Sequence, residues 1–433
     1  MTAGDGFSAP FALGGFIALI SVAGFLVLWY DSPRHGAWQA RVRRWARRLT
    51  GRADLAWVDA PFLTAVAAVA FSVGALVTWS YGGYGCTGGG PSDLTTLVAS
   101  GRAFLSGGDP FRIAACGRIG NPVPAGIASV LLDALGSLAG PAGVLLVWGS
   151  VSVAVIPLLW SLAGTEGGKA TVFLLASFLY LPIVAVQVDG ASLALVPVTV
   201  LLVLYLARRG WVRAAAVGGF LATGRFPALF PVLSASGRAG SRRWVAFAGA
   251  LGAFAAATLA TFAVYGSRFT GPVFWAQFSR SHLALNYWGF LQGEGWLTPS
   301  TSVTIVQAIV TVALVGGCWA WARSALGAAA IVLTGTVLLA QFLSFTELVF
   351  LVPVALVGIR ARWWLWAIGV VASTNYLLAM RSLDWLGGPS RFSYALDLLL
   401  TALLLGLMIE LLRAELRIPR PAPGPAPPVA GTS

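Results

Sequence analysis

FALGGFIALISVAGFLVLWY (Phe11–Tyr30) runs for twenty residues without a charged side chain and is apolar on every side. A bilayer core about 30 Å thick takes roughly 20 apolar residues in helix, so this run predicts a membrane-spanning helix. The rest of the 433-residue chain agrees: 58% of residues are hydrophobic, 10% are charged, and the mean hydropathy is +0.82. No ordinary soluble domain has that balance. The period-2 alternation of outer-membrane strands is absent, which leaves helices. No cleavable signal is expected, because the first ten residues carry no basic region and no small-residue cleavage site follows the run.

Outward from this helix, the apolar runs predict spans at 11–30, 61–81, 143–162, 170–187, 191–207, 244–265, 303–322, 326–345, 347–360, 363–380 and 393–412. The expectation is an all-α polytopic membrane protein with about eleven transmembrane helices. The net charge of +13 could suggest nucleic acid, but the basic residues form no single patch interleaved with aromatics. They report topology: most of the 28 Lys and Arg fall on one side of these spans, which is taken as cytoplasmic. The N-terminus is then outside and the C-terminus inside a cell membrane. RHGAWQARVRRWARRLTGR (34–52) is a basic, Trp-bearing stretch suited to anionic headgroups at the cytoplasmic face, and IPRPAPGPAPPVAGTS (418–433) reads as a disordered tail.

Between Trp211 and Leu233 the chain carries basic clusters at both ends, ARRGWVR before and GRAGSRR after, so it enters and leaves on one side. A re-entrant pair of half-helices, broken at Gly224, Arg225 and Pro227, meets that requirement. Such a break is tolerated only where it is buried in protein or lines a watery cavity. Arg225, at membrane depth, calls for an anionic partner, either a protein carboxylate or a ligand phosphate.

Two external loops, 82–142 and 266–302, exceed turn length and are where function is expected. The first holds Cys86 and Cys116, a candidate disulfide in an oxidising compartment. It also holds PSDLTTLVASGRAFLSGGDPF (91–111), where Leu94, Leu97, Val98, Gly101 and Leu105 share one helical face; the segment is expected to lie flat at the outer membrane surface. Asp93 stands at its first turn, and Asp109, before Pro110, starts a turn. No HExxH, CxxC or Cys/His cluster is present, so no metal site, cofactor or divalent cation has support from the sequence.

The order of these features resembles the GT-C glycosyltransferases, in particular glycosyltransferase family 87, the polyprenol-phosphate-mannose-dependent mannosyltransferases common in actinobacteria. The likeness covers roughly 80–360. It rests on Asp93 followed by ASGRAFLSGGDPF, on NPVPAG (121–126), VQVDG (186–190), GGFLATGRFPALFPVL (218–233), ALNYWGFLQG (284–293) and SFTELVFLVPVAL (344–356). The sequence departs from the family pattern in having Arg225 for the hairpin Lys, no late His, and no Tyr soon after Asp93. On this likeness the chain divides into an N-terminal helix and basic segment (1–60), a catalytic core (61–360), C-terminal helices (361–415) and a tail (416–433).

The resemblance implies transfer of a sugar, mannose foremost, from a polyprenyl-phosphate donor to a glycolipid or glycan acceptor at the outer face, with inversion. Asp93 is then the general base. Arg225, with Arg268, Arg280 and His282 behind it, would face the departing phosphate. Gln187, Asp189, Asn286 and Glu347 would bind sugar or acceptor. Tyr287, Trp288 and Trp296 either stack on sugar rings or form an interfacial belt. Two other readings stay open: a GT-C-shaped scaffold without catalysis, and a transporter or flippase of a lipid-linked or anionic substrate. The latter predicts polar residues spread through several helices, whereas polarity here gathers in two loops.

Overall fold

The structure, a computed structural model, describes residues 93–111, 126–163, 191–266, 287–293, 301–340, 345–385 and 391–419, with isolated positions between 22 and 72 and short pieces of 86–91 and 113–120. Among these, nearly everything is helix. Two small antiparallel ribbons accompany the helices: β1 (Cys86–Thr87) with β2 (Gly90–Pro91), and β3 (Ile113–Ala115) with β4 (Arg118–Gly120). The helices are α1 (Asp93–Leu105), α2 (Ile127–Ser137), α3 (Gly140–Ala163), α4 (Leu195–Ala207), α5 (Trp211–Ala222), α6 (Leu229–Ser236) and α7 (Arg243–Tyr265). They continue with α8 (Tyr287–Gly293), α9 (Thr301–Trp321), α10 (Ala325–Leu339), α11 (Ile359–Trp385) and α12 (Arg391–Arg417).

Three stretches are long and apolar enough to cross a membrane: Gly140–Ala163, Gly240–Tyr265 and Tyr394–Arg417, with mean hydropathies of 2.2, 1.8 and 2.2. Large apolar side chains are exposed on these and neighbouring helices. On α7, Leu259 is 65% and Val264 73% exposed, and on α9, Val312 is 67% exposed. Large apolar side chains displayed so densely are stable only against lipid or another apolar surface. The chain is a membrane protein. The expected spans at 11–30, 61–81 and 170–187, the basic stretch 34–52 and the tail from 420 onward fall wholly or mostly outside the described residues.

Two expectations need correction. The predicted helix over 347–360 is a 3-10 helix, Phe345–Leu356. Pro353 inside it has no N–H to donate, and a 3-10 helix rises about 2.0 Å per residue, so the segment reaches farther than an α-helix of equal length. Nor does α1 offer its apolar face to lipid. Leu94, Leu97 and Val98 are buried against Val144 and Trp148 of α3 and Leu195 of α4, while Leu105 is exposed. The face read as surface-seeking is taken up by protein.

Close packing depends on small residues, as it does wherever an apolar solvent gives helices little hydrophobic reason to associate. A Cβ at Gly219 would stand 2.0 Å from the carbonyl of Ala250, so α5 lies directly on α7. Gly218 meets Val203 of α4 and Val232 of α6 in the same way, and Gly101 brings α1 onto the backbone of α2 at Asp133. The central helix α10 is fully buried from Ala328 to Leu333.

The start of α10 shows how a buried charge is made tolerable. Glu415, on α12, is buried and accepts hydrogen bonds from the backbone N–H groups of Arg323 and Ser324 and from the Ser324 hydroxyl. The Ser324 oxygen in turn caps α10 by accepting from the Gly327 N–H at 2.8 Å. The carboxylate thus sits on orphan donors at a helix start. Glu415→Ala should lower stability by about 1–3 kcal/mol by stranding these donors. Thermal unfolding of the purified protein in detergent checks this, with Ser324→Ala expected to cost less because the carboxylate remains.

Candidate functional site at the hairpin tip

α5 ends because Thr223, Gly224 and Arg225 leave the helical path: the Thr223 and Gly224 N–H groups close short turns onto Phe220 and Leu221, and Arg225 is extended at φ −148°, ψ 99°. A 3-10 turn, Phe226–Ala228, carrying Pro227, then starts α6. A broken helix strands backbone groups, and here they meet α2.

The residue before α2 is Gly126, which has no side chain with which to cap a helix. The Thr223 hydroxyl takes that role from 95 residues away, accepting from the Ala128 N–H at 3.3 Å while donating to the Phe220 carbonyl at 2.7 Å. Ser129 donates to the Gly224 carbonyl at 2.8 Å. A Cβ on Gly126 would stand 1.9 Å from the Thr223 carbonyl oxygen, so only glycine permits this approach.

Asp133, one and two turns farther along α2, is completely buried. One carboxyl oxygen accepts from the Trp148 indole N–H at 2.8 Å, and the other has no hydrogen-bond partner among the described residues. Burial pushes the carboxyl well above its ordinary value; the Trp148 hydrogen bond and the positive charge of Arg225 pull it partly back. Arg225 is half-buried, and its positive charge acts on the Asp133 carboxyl.

Asp93 is the first residue of α1, and its side chain lies outside what the structure describes. Its neighbour Leu94 packs with Trp148, so the start of α1 adjoins the indole that donates to Asp133. At the other end of α1, Asp109 accepts from the Phe111 N–H at 2.9 Å, an Asx turn, and Phe111 stacks edge-on against Tyr265 of α7 at 5.5 Å. Ser100 holds the same turn by donating to the Pro110 carbonyl at 3.1 Å.

Tyr287 and Trp288 occupy a different place. They stack on each other at 4.7 Å in α8, and the Tyr287 N–H donates to Thr401 of α12 at 2.8 Å. Burial raises the Tyr287 phenol to about 12, which keeps it a neutral donor. Glu347 is half-buried at the start of the 3-10 helix. Arg268, Arg280, His282, Gln187, Asp189, Asn286, Trp296 and Cys116 lie outside the described residues, and of Cys86 only the backbone in β1 is described. No group of three His, Cys, Asp or Glu suited to a metal occurs among the described residues.

Asp133, Trp148, Thr223 and Ser129 were not singled out from the sequence. The signal was a lone acid in IASVLLDALGS, set beside an Arg in an apolar hairpin: each charge is costly alone, and together they predict a pair. Comparison with protein families, curated proteins and solved structures gave no match.

The raised Asp133 carboxyl makes stability depend on pH. Between its ordinary value of 3.8 and its higher folded value, the folded chain holds a proton that the unfolded chain has lost. Its stabilisation is therefore complete below about pH 3.8 and is lost as pH rises through the folded value. Asp133→Asn keeps an acceptor for Trp148 and removes the titration. Melting temperature followed against pH should fall less steeply for this variant than for the wild type.

Proposed function

We propose that this protein is an integral membrane glycosyltransferase of the GT-C type, carrying a sugar, mannose foremost, from a polyprenyl-phosphate donor to a lipid or glycan acceptor on the outer face of the membrane. The observation that carries the reading is the hydrogen-bonded seam between the hairpin tip and α2. It joins Arg225 to the same α1–α2–α3 unit whose first helix begins at Asp93. In this reading the chain crosses the membrane about eleven times, α5 and α6 enter and leave on the cytoplasmic side, and the tip reaches the external loop.

The chemistry follows from that placement. Asp93 takes the proton of an acceptor hydroxyl as its oxygen forms a bond to the anomeric carbon. The carbon–oxygen bond to the donor phosphate breaks on the opposite face, inverting the centre, and the electron pair leaves on the lipid phosphate. That charge is met by Arg225, with Arg268, Arg280 and His282 contributed by the second loop. Gln187, Asp189, Asn286, Tyr287, Trp288 and Glu347 contact sugar or acceptor. The sequence firmly implies no cofactor.

The action of the Arg225 charge on Asp133 also favours a second reading, in which the arginine serves only the fold and the chain is a scaffold without catalysis. One experiment separates them. Membranes containing the protein are incubated with labelled polyprenyl-phosphate mannose and native lipid extract. The wild type should transfer label, Asp93→Asn should lose about 10²–10⁴-fold, and Arg225→Gln about 10²–10³-fold. Equal transfer by wild type and Asp93→Asn removes Asp93 as base, and no transfer by the wild type favours the scaffold or another donor.

A further inference from the structure

At the base of the hairpin, away from its tip, the chain turns from α6 into α7 through Gly237–Arg243 and rests on the end of α9. Gly237 packs against the Trp319 backbone, and a Cβ there would stand 2.1 Å from the Trp319 carbonyl oxygen. Arg238 donates to that carbonyl at 3.0 Å. The Arg243 guanidinium lies 5.1 Å from the centre of the Trp319 ring, and Trp244 stacks on the same ring at 4.3 Å. Arg242, Arg243 and Trp244 are exposed, Trp244 by 62%.

Two features of this corner lack a partner. The Arg238 Nε and the Trp319 Nε1 are buried, and neither has a hydrogen-bond acceptor among the described residues. Each is a donor that burial makes costly to leave unpaired. Glu415 is the carboxylate that faces Arg238, but both its oxygens are engaged at the start of α10. Those two donors are closed off from outside; what an anion with several acceptor oxygens would meet is the exposed pair Arg242 and Arg243. Next to it, α7 and α9 present apolar side chains to the outside, among them Val245, Leu251 and Leu259 on α7 and Ile309 and Val312 on α9.

We propose that this corner binds an anionic phospholipid, the headgroup phosphate at Arg238, Arg242 and Arg243 and the acyl chains along the outward face of α7. Exposed positive charge at Arg242 and Arg243, with no salt bridge to an acid among the described residues and beside a helix made to lie in hydrocarbon, distinguishes a lipid from a soluble anion. The aromatic pair Trp244 and Trp319 sits at the junction of charged and apolar surface, where an indole suits a headgroup boundary. The site is independent of any transferase activity.

Native mass spectrometry of the full chain in detergent, titrated with phosphatidylglycerol or phosphatidylcholine of identical acyl chains, tests the proposal. The wild type should hold one phosphatidylglycerol in clear preference to phosphatidylcholine. Arg242→Gln with Arg243→Gln should weaken that binding about 30-fold, corresponding to roughly 1 kcal/mol per arginine. Trp244→Ala, which leaves every charge in place, should weaken both lipids. Arg208→Gln with Arg360→Gln, also exposed but just past the end of α4 and on α11, is the charge-matched control and should bind as the wild type does. Equal loss in the control pair, or no preference between the lipids, overturns a specific site. Full displacement of the lipid by millimolar inorganic phosphate overturns the lipid and leaves a site for a free anion.

Discussion

A helix broken inside an apolar body leaves N–H and C=O groups that water cannot reach, and the hairpin of α5 and α6 is tolerable only because α2 supplies their partners. The exchange is reciprocal. Gly126 brings no capping side chain to α2, so the Thr223 hydroxyl serves the Ala128 N–H, and Ser129 returns a hydrogen bond to the Gly224 carbonyl. Neither element is complete alone. The approach is close enough to require glycine at 126, which fixes the separation of hairpin and helix more tightly than apolar packing does.

That contact determines where the charges lie. With the tip seated on α2, the charge of Arg225 acts on Asp133, and the carboxyl accepts from the Trp148 indole N–H. Trp148 also packs with Leu94, so the same indole that steadies Asp133 shapes the beginning of α1. Under the proposed transferase reading, Arg225 is thereby shared between a protein carboxyl and a donor phosphate, and Asp133 positions the arginine without touching the sugar.

The two ends of the hairpin solve different problems. At the tip, the Ala128 N–H and the Gly224 carbonyl are satisfied within the protein. At the base, the Arg238 Nε and the Trp319 Nε1 have no acceptor among the described residues, beside an exposed Arg242–Arg243–Trp244 corner, and Glu415 is committed to the start of α10. Buried donors, exposed positive charge and a lipid-facing helix meet in one place, which is the physical basis for assigning a lipid there.

Helicity and the membrane were legible in the chain itself, because uncharged apolar runs such as 143–162 and 244–265 can bury their backbone polar groups only as helix. The break at Gly224, Arg225 and Pro227 was legible from flanking charge: basic clusters at both ends of one apolar stretch require a turn within it, and glycine and proline together offer the place. Local signals also exposed Asp109 as a turn former. They could not show that Leu94, Leu97 and Val98 face protein, since an apolar stripe reads alike whether lipid or a neighbouring helix covers it. Nor could they pair Asp133 with Trp148, or Thr223 with Ala128 across 95 residues. The amino-acid sequence alone determined that the chain is helical, apolar enough to cross a membrane, and interrupted at Gly224, Arg225 and Pro227. Only the tertiary structure decided that this break is seated on α2, because the contact needs a glycine at 126 and joins elements far apart in the chain.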